Sequence, residues 1–446
     1  MKKIIFVANN VHHYKLFKLV KNKLYGNYFV DVLYTYKCKE KNSIIPENDV
    51  LISINEIRYA YFDREITYFR KRFGLSPKPK SEVFSDIIGY KNYFKKLLKE
   101  EKPDLIIGEL CSGLPDLLLY EESCLLKIPF VSIRQSKVSN GIVFCNPLLD
   151  KPYVNDKKIS ELGFAVNYVN KIREKIIKPK YMVKTSKKFK FFDFSKVKTL
   201  YDYLTLYREL GTSNKKYFQY AFIMHIHRFF NKLKIIGNKN TFSDIPVNNS
   251  QKYLVYPLHY EPESSSSIRG YPFDDQLFLI EFIAKNLPSN YTLLVKEHLG
   301  NQGYRSYKDY LKIKTFFNVK LISPNTNVDQ LFGLVSCVIT INSRMGWEGL
   351  IKGLPVISLG RSFWDSLSFI YKIESYQGLS EALYSLDALV SDHKINEEEL
   401  FKFICEYTSA EYKGNLVLKS DSIFSESNIN ALSTSIVDFV DNGVIG

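Results

Sequence analysis

Residues 340–360 read Thr340-Ile-Asn-Ser-Arg-Met-Gly-Trp-Glu-Gly-Leu-Ile-Lys-Gly-Leu-Pro-Val-Ile-Ser-Leu-Gly360, and this stretch decides the fold class. An apolar strand, Val338 to Ile341, runs into Asn342-Ser343. A helix follows, Gly353 stops it, and Pro355 to Leu359 forms a second strand. Ser343 stands at the helix N-cap position, and Gly346 leaves the first turn open to close approach. Such a start presents backbone N–H groups and the positive end of the helix dipole, which suits a phosphate. At the carboxyl end of a parallel strand it lies where open α/β sheets bind ligands.

Strand and helix patterns alternate on both sides of this segment. In the first half, Lys3 to Ala8, Phe29 to Tyr36, Asp104 to Gly108 and Pro129 to Arg134 read as strands. Between them His13 to Leu24, Ser81 to Glu101 and Leu114 to Leu126 repeat apolar residues at helical spacing. In the second half, strands at Tyr253 to Pro257, Tyr291 to Lys296 and Val319 to Ile322 alternate with helices. Those helices are expected at Asp274 to Asn286, Tyr304 to Phe316 and Val328 to Val335. This pattern predicts an α/β protein of two Rossmann-like domains with a central cleft.

Residues 151–245 break the alternation and read as a basic, mostly helical insertion, with helical spacing in Leu200 to Leu210 and Tyr217 to Leu233. The expected division is 1–245, 250–400 and a tail, 401–446, that returns to the first domain. The polar loop Asn238 to Ser250 is the expected hinge.

At 446 residues the chain suits two or three cores, and 45% hydrophobic with 24% charged residues is the balance of a soluble globular protein. Its longest apolar stretches, such as Tyr220 to Met224, end far short of the roughly 18 residues a membrane span needs. The five apolar residues after Lys3 are too few for a signal peptide. The six cysteines lack Cys-x-x-Cys spacing and read as reduced thiols, so a cytoplasmic location is expected. Residues 151–240 hold 21 lysines and arginines against 6 acids, which is the whole net charge of +15. A block of this kind predicts an anionic neighbour: a phospholipid surface, an acidic glycan or nucleic acid.

Three further groups stand at strand ends. Tyr256-Pro-Leu-His-Tyr-Glu-Pro-Glu-Ser-Ser-Ser-Ser267 gathers His259, Glu261 and Glu263, an imidazole and two carboxyls able to supply an acid, a base or a nucleophile. A polar turn is the plainer reading. Val295-Lys-Glu-His-Leu-Gly300 places Lys296 and His298 two apart on an extended segment, a pair suited to a phosphate. Asn10, His12, Glu109 and Arg134 mark strand ends of the first half, on the acceptor side of a cleft, whereas His13 reads as structural. The first turn lacks Gly-x-Gly-x-x-Gly, against a dinucleotide cofactor there. Arg344 and Glu348 are four apart and either pair on the helix or reach a ligand's phosphate and ribose. No metal-ligand spacing occurs, and Asp274-Asp275 reads as a helix start.

The second half resembles the bacterial capsule polysaccharide biosynthesis glycosyltransferases, the group that includes the Kdo transferases. The resemblance rests on Pro257-Leu-His259 through Glu263, Asp275-Gln276, Val295-Lys-Glu-His298, Ser343 to Leu350 and Gly353 to Gly360, within residues 253–365. It implies a GT-B fold and a nucleotide-sugar donor held by the second domain without a required metal or other cofactor. It implies that His298 and Ser343 contact donor phosphate, Glu348 the nucleoside, and that Glu263 is the catalytic carboxylate. His259 and Glu263 stand at the spacing where relatives carry glutamine and aspartate, and Leu299 replaces a usual proline.

The leading expectation is thus a glycosyltransferase acting on a surface polysaccharide or lipid-linked glycan at the inner membrane face. A CMP-activated acidic sugar ranks first as donor and a UDP-sugar second, with Lys296, Gly346, Arg269 and Arg344 among the donor-side residues. Transfer of a polyol phosphate from a CDP donor is the alternative, and nucleic-acid binding ranks last.

Overall fold

The computed structural model describes residues 1–8, 11–34, 80–111, 114–154, 162–174, 228–245, 251–260, 266, 268–301, 303–417 and 421–441. Asn10, Glu261 and Glu263 lie outside the described residues, as do Leu200 to Leu210 and most of the basic stretch.

The first lobe is built on β1 (Lys3–Ala8), β2 (Phe29–Tyr34), β3 (Leu105–Gly108), β4 (Phe130–Gln135) and β5 (Ile142–Cys145). Its sheet has the order β12-β5-β4-β3-β1-β2, in which β12 (Glu411–Tyr412) comes from the end of the chain. The β4-β3-β1-β2 core is parallel, while β5 and β12 are antiparallel additions. Side chains alternate across the strands. Ile4 and Phe6 face α1 (Val11–Leu24) and α12 (Glu426–Asp441), whereas Ile5 and Val7 face α2 (Lys80–Glu101) and α3 (Leu114–Leu125).

The second lobe is a six-stranded, wholly parallel sheet of order β11-β10-β9-β6-β7-β8. Its strands are β6 (Lys252–Pro257), β7 (Tyr291–Lys296), β8 (Val319–Ile322), β9 (Cys337–Thr340), β10 (Val356–Ser358) and β11 (Tyr371–Lys372). Both faces are covered, which is why β6, β7 and β9 read as continuous apolar runs. The strand order reverses between β6 and β9 here and between β1 and β3 in the first lobe. These are the two places where ligands bind in sheets of this kind. The expected α/β class with two Rossmann-like lobes is therefore present.

Several elements cross between lobes. Helix α4 (Leu162–Arg173) leaves the first lobe and packs on α8 (Arg344–Ile351) and α11 (Glu397–Ser409), where the Trp347 indole N–H donates to Tyr168 Oη at 3.0 Å. In return, α12 lies on α1, and Phe439 stacks on Phe144 with ring centroids 4.0 Å apart. Of the expected hinge, Ser243 is tied to β8 by its N–H donated to Leu321 O at 2.8 Å.

Helix starts differ from the sequence expectation for local reasons. Asp275, Ser306 and Asn327 cap α5 (Gln276–Asn286), α6 (Tyr307–Lys314) and α7 (Val328–Phe332) with their side chains. Helix α6 begins three residues later than Tyr304, because Tyr304 and Arg305 are drawn into the site described below. We expect Phe439→Ala to cost about 3–5 kcal/mol, since Phe439 is fully buried between Phe144 and Tyr412. Denaturant unfolding of the first lobe reads this; a loss under about 1 kcal/mol would mean the tail is not part of that core.

Candidate functional site

The switch point of the second lobe is closed by His259. The residue is buried just past β6, and its backbone is gripped on both sides by Gln276. The His259 N–H donates to Gln276 Oε1 at 2.7 Å, and Gln276 Nε2 donates to His259 O at 3.4 Å. Its Nε2 accepts the Asn342 N–H at 3.3 Å, which ties the tip of β6 to the tip of β9. That bond requires an unprotonated Nε2. Burial first, then the charges of His298, Arg305 and Arg269, push the imidazole pKa down to about 3. His259 is thus neutral at physiological pH, with its proton on Nδ1.

The tip of β7 is organised by a carboxylate the sequence reading passed over. Glu297 is fully buried against the equally buried Arg305, with Nε 3.1 Å from Oε2. Its other oxygen accepts the His298 N–H at 2.6 Å and Asn301 Nδ2 at 3.5 Å. The ion pair therefore folds 298–301 into a tight turn, and Arg305 reaches on to His259 O at 3.5 Å. His298 is left exposed at the turn, with Nδ1 accepting the Gly300 N–H at 3.1 Å, so in the neutral ring Nε2 carries the proton. Lys296 goes elsewhere. Its buried Nζ donates to Pro324 O at 3.1 Å, and burial lowers its pKa. The two residues read as a same-side pair are separated because the extended backbone ends at Lys296.

At β9 the turn into α8 is held by buried Thr340. Its hydroxyl donates to Ser343 Oγ at 2.9 Å and accepts the Ser343 N–H at 2.9 Å. Ser343 occupies the N-cap position but makes no side-chain cap bond, unlike the capping residues Asp275, Ser306, Asn327, Ser375 and Asn396 of the same lobe. At the end of β9 the Ser343 hydroxyl and the first-turn amides therefore share no bond. Gly346 has a packing reason as well, since a Cβ there would stand 2.6 Å from Thr340 Cγ2. Arg344 and Glu348 pair with each other at 2.7 Å on the helix surface.

The switch point of the first lobe carries a second imidazole. His13 Nδ1 lies 2.6 Å from Glu109 Oε1, and its Nε2 is 3.2 Å from Leu416 O. Burial opposes the charge, but the Glu109 and Leu416 contacts outweigh it and raise the pKa. Both ring nitrogens then donate, and His13 is held as an imidazolium that joins β3, α1 and the returning tail. His12 beside it is exposed, and its pKa is lowered by partial burial and by the neighbouring His13 and Lys15.

Between the lobes, Asp150 takes an arginine from each. Arg134 at the end of β4 contacts its Oδ1, and Arg269, from the loop after β6, lies 2.7 Å from Oδ2. Burial would raise the Asp150 pKa, yet Arg134, Arg269 and Lys137 together hold it low. Beside this bridge Ile268 packs on Leu117 and Cys111 of the first lobe.

Residues 204–371 match the family model described as capsule polysaccharide biosynthesis protein, and this stretch contains the resemblance read from the sequence. No curated protein matches the chain. Similar solved structures include a β-Kdo 2,7-transferase, KpsC of Thermosulfurimonas dismutans, at 10% identity and TM-score 0.40 over 98% of this chain and 99% of that one. A β-Kdo 2,4-transferase structure of KpsC from the same organism has 14% identity and TM-score 0.34 over 69% and 80%. UDP-GlcNAc 2-epimerase of Neisseria meningitidis has 13% identity and TM-score 0.29 over 99% of both chains.

Two outcomes follow from the site's charges. Glu297→Gln leaves Arg305 buried without its counter-ion and should cost about 3–5 kcal/mol in unfolding of the second lobe, whereas an exposed pair would cost under about 1. His13 has its pKa raised on folding, so its contribution is complete below the unfolded value and is lost as pH rises through the folded value. The stability gap between wild type and His13→Gln should therefore shrink on going from pH 6 to pH 9, measured by urea unfolding; a gap that widens refutes the imidazolium assignment.

Proposed function

We propose that the protein is a glycosyltransferase of capsule polysaccharide synthesis that binds a nucleotide sugar at the β6–β9 switch point. The reading is carried by one convergence. His259, the Glu297-held turn with His298, and Ser343 at the start of α8 all stand at strand tips of the second lobe, within residues 204–371.

In this reading the donor's phosphate sits at the start of α8. There the helix dipole, the Ser343 hydroxyl and the His298 Nε2–H supply positive potential without a required metal. Neutral His259 keeps the β6 and β9 tips at a fixed separation and positions the chain entering 261–265. Glu263 is the proposed catalytic carboxylate, acting on the acceptor hydroxyl or at the anomeric carbon, with Glu261 as its neighbour. Glu348 exchanges its bond to Arg344 for the ribose hydroxyls, and the freed Arg344 meets the donor's charge. A CMP-activated acidic sugar is the first donor to test and a UDP-sugar the second. The acceptor is a surface polysaccharide or lipid-linked glycan approaching past His12, Glu109 and the Arg134–Asp150–Arg269 bridge.

A thermal-shift series with CMP, CDP, UDP and GDP tests the reading. A ligand at about 100 times its Kd adds about 2.7 kcal/mol to stability, so one nucleotide should raise Tm clearly. His298→Ala should weaken that nucleotide about 10- to 100-fold with the fold kept, the cost of a hydrogen bond to a charged group. Glu263→Gln should keep the affinity and lower kcat by about 10²–10⁴. If no nucleotide moves Tm, the donor site is misplaced. If Glu263→Gln turns over normally, the carboxylate is.

A further inference from the structure

We propose that the outward face of the helical segment 228–237 binds an anionic phospholipid surface and sets the candidate site beside it. The segment reads Arg228-Phe-Phe-Asn-Lys-Leu-Lys-Ile-Ile-Gly237. One face is fixed to the second lobe. Arg228 donates to Tyr304 Oη at 2.7 Å, Asn231 donates to Gly303 O at 3.4 Å, and Ile235 packs on the lobe's core. The fit is close, since a Cβ on Gly303 would lie 2.7 Å from Arg228 O.

The opposite face is apolar and open. Phe229, Leu233 and Ile236 recur at helical spacing with Phe230 beside them, at 48%, 37%, 54% and 56% exposure respectively. A stripe of two phenylalanines and two aliphatics is unusual on a surface unless it meets another apolar phase. Exposed Lys234 flanks it, Lys232 lies at its edge with its stem packed on Gly303, and residues 228–240 hold four basic residues and no acid. On helix α6 Leu311 is also exposed, and Lys314 donates to Asn240 O just after the segment. Apolar side chains with lysines at their margin fit an interface whose headgroups are negative and whose interior is hydrocarbon. An acidic protein surface would satisfy the lysines but not the phenylalanines. No helix among the described residues is long and apolar enough to cross a membrane, so the contact is a lateral one.

The docked face also connects to the strand tips. The Arg228 guanidinium stacks 4.0 Å over the Tyr304 ring, Tyr304 meets Tyr260 at 5.6 Å, and Tyr260 meets His298 at 6.1 Å. Three side-chain contacts thus separate the lipid-facing helix from His298. An acceptor carried on a membrane lipid would reach the β6–β9 crevice without leaving the surface.

Sedimentation of the full chain with vesicles tests this without any nucleotide, so its result is independent of the donor reading. Vesicles containing phosphatidylglycerol should retain the protein about tenfold better than pure phosphatidylcholine at about 0.1 M salt. The combined variant Phe229→Ser, Phe230→Ser, Leu233→Ser should lose about tenfold of that retention while keeping every lysine. Amide exchange on the wild-type chain gives a second readout that needs no variant: segment 228–237 should gain protection when phosphatidylglycerol vesicles are added. Equal retention on both vesicle types, undiminished retention of the triple variant, or unchanged exchange in 228–237 each overturns the proposal. So does self-association of the wild type through this face in place of vesicle binding.

Discussion

A single buried carboxylate organises the second lobe's strand tips. Glu297 has no exposure, and a charge in that position is tolerable only when it is paired and its oxygens are filled. Arg305 fills one oxygen, while the His298 and Asn301 N–H groups fill the other. The consequence is geometric. The chain leaving β7 must turn within 298–301 to satisfy the acid, and that turn is what exposes His298. The chain must then bring Arg305 back inside, which delays the start of α6 and sets Tyr304 against Tyr260. Because Arg305 also meets His259 O, the tips of β6 and β7 are referenced to the same charge.

The two imidazoles at the switch points are held in opposite charge states by the same kind of device. His259 is buried, accepts a backbone N–H and has cationic groups around it, so it is neutral. His13 offers both nitrogens to oxygen, from Glu109 and from Leu416, so it is cationic. Each joins two strand tips or a tip and a helix. At these tips His12 and His298 are exposed, whereas His13 and His259 are buried. Asp150 acts at longer range, bridging one arginine from each lobe and so tying the lobes together.

The fold was legible because buried parallel strands are continuous apolar runs, and β1, β6, β7 and β9 carry that signal without interruption. Strands β5 and β12 were not, since they are short antiparallel edges, and β12 needs a partner more than 250 residues earlier in the chain. Helix α4 was not singled out inside the basic stretch, where its apolar face packs chiefly on α8 and α11 of the other lobe. At the site, local pairs were visible and distant ones were not. The Arg344–Glu348 pair follows from a spacing of four. Nothing local shows that Arg269 belongs to Asp150, 119 residues away, or that Lys296 turns toward Pro324. Glu297 lies between Lys296 and His298, and its only local clue is an arginine eight residues on.

The start of α8 differs from five other helix starts of its lobe, whose N-cap side chains bond the first-turn amides. Where an N-cap side chain bonds the first-turn amides, the local positive potential is spent within the protein. Ser343 instead takes its hydrogen bonds from Thr340, which lies beneath it and is fully buried. The Thr340 methyl lies so close to Gly346 that a side chain there would collide with it. The serine hydroxyl is therefore aimed by the strand below it and not by the helix above. That arrangement leaves the start of this eight-residue helix at the tip of β9, with the tip of β6 between it and the β7 tip that carries His298. An anionic group binding between them would meet donors already oriented, with little rearrangement left to oppose it.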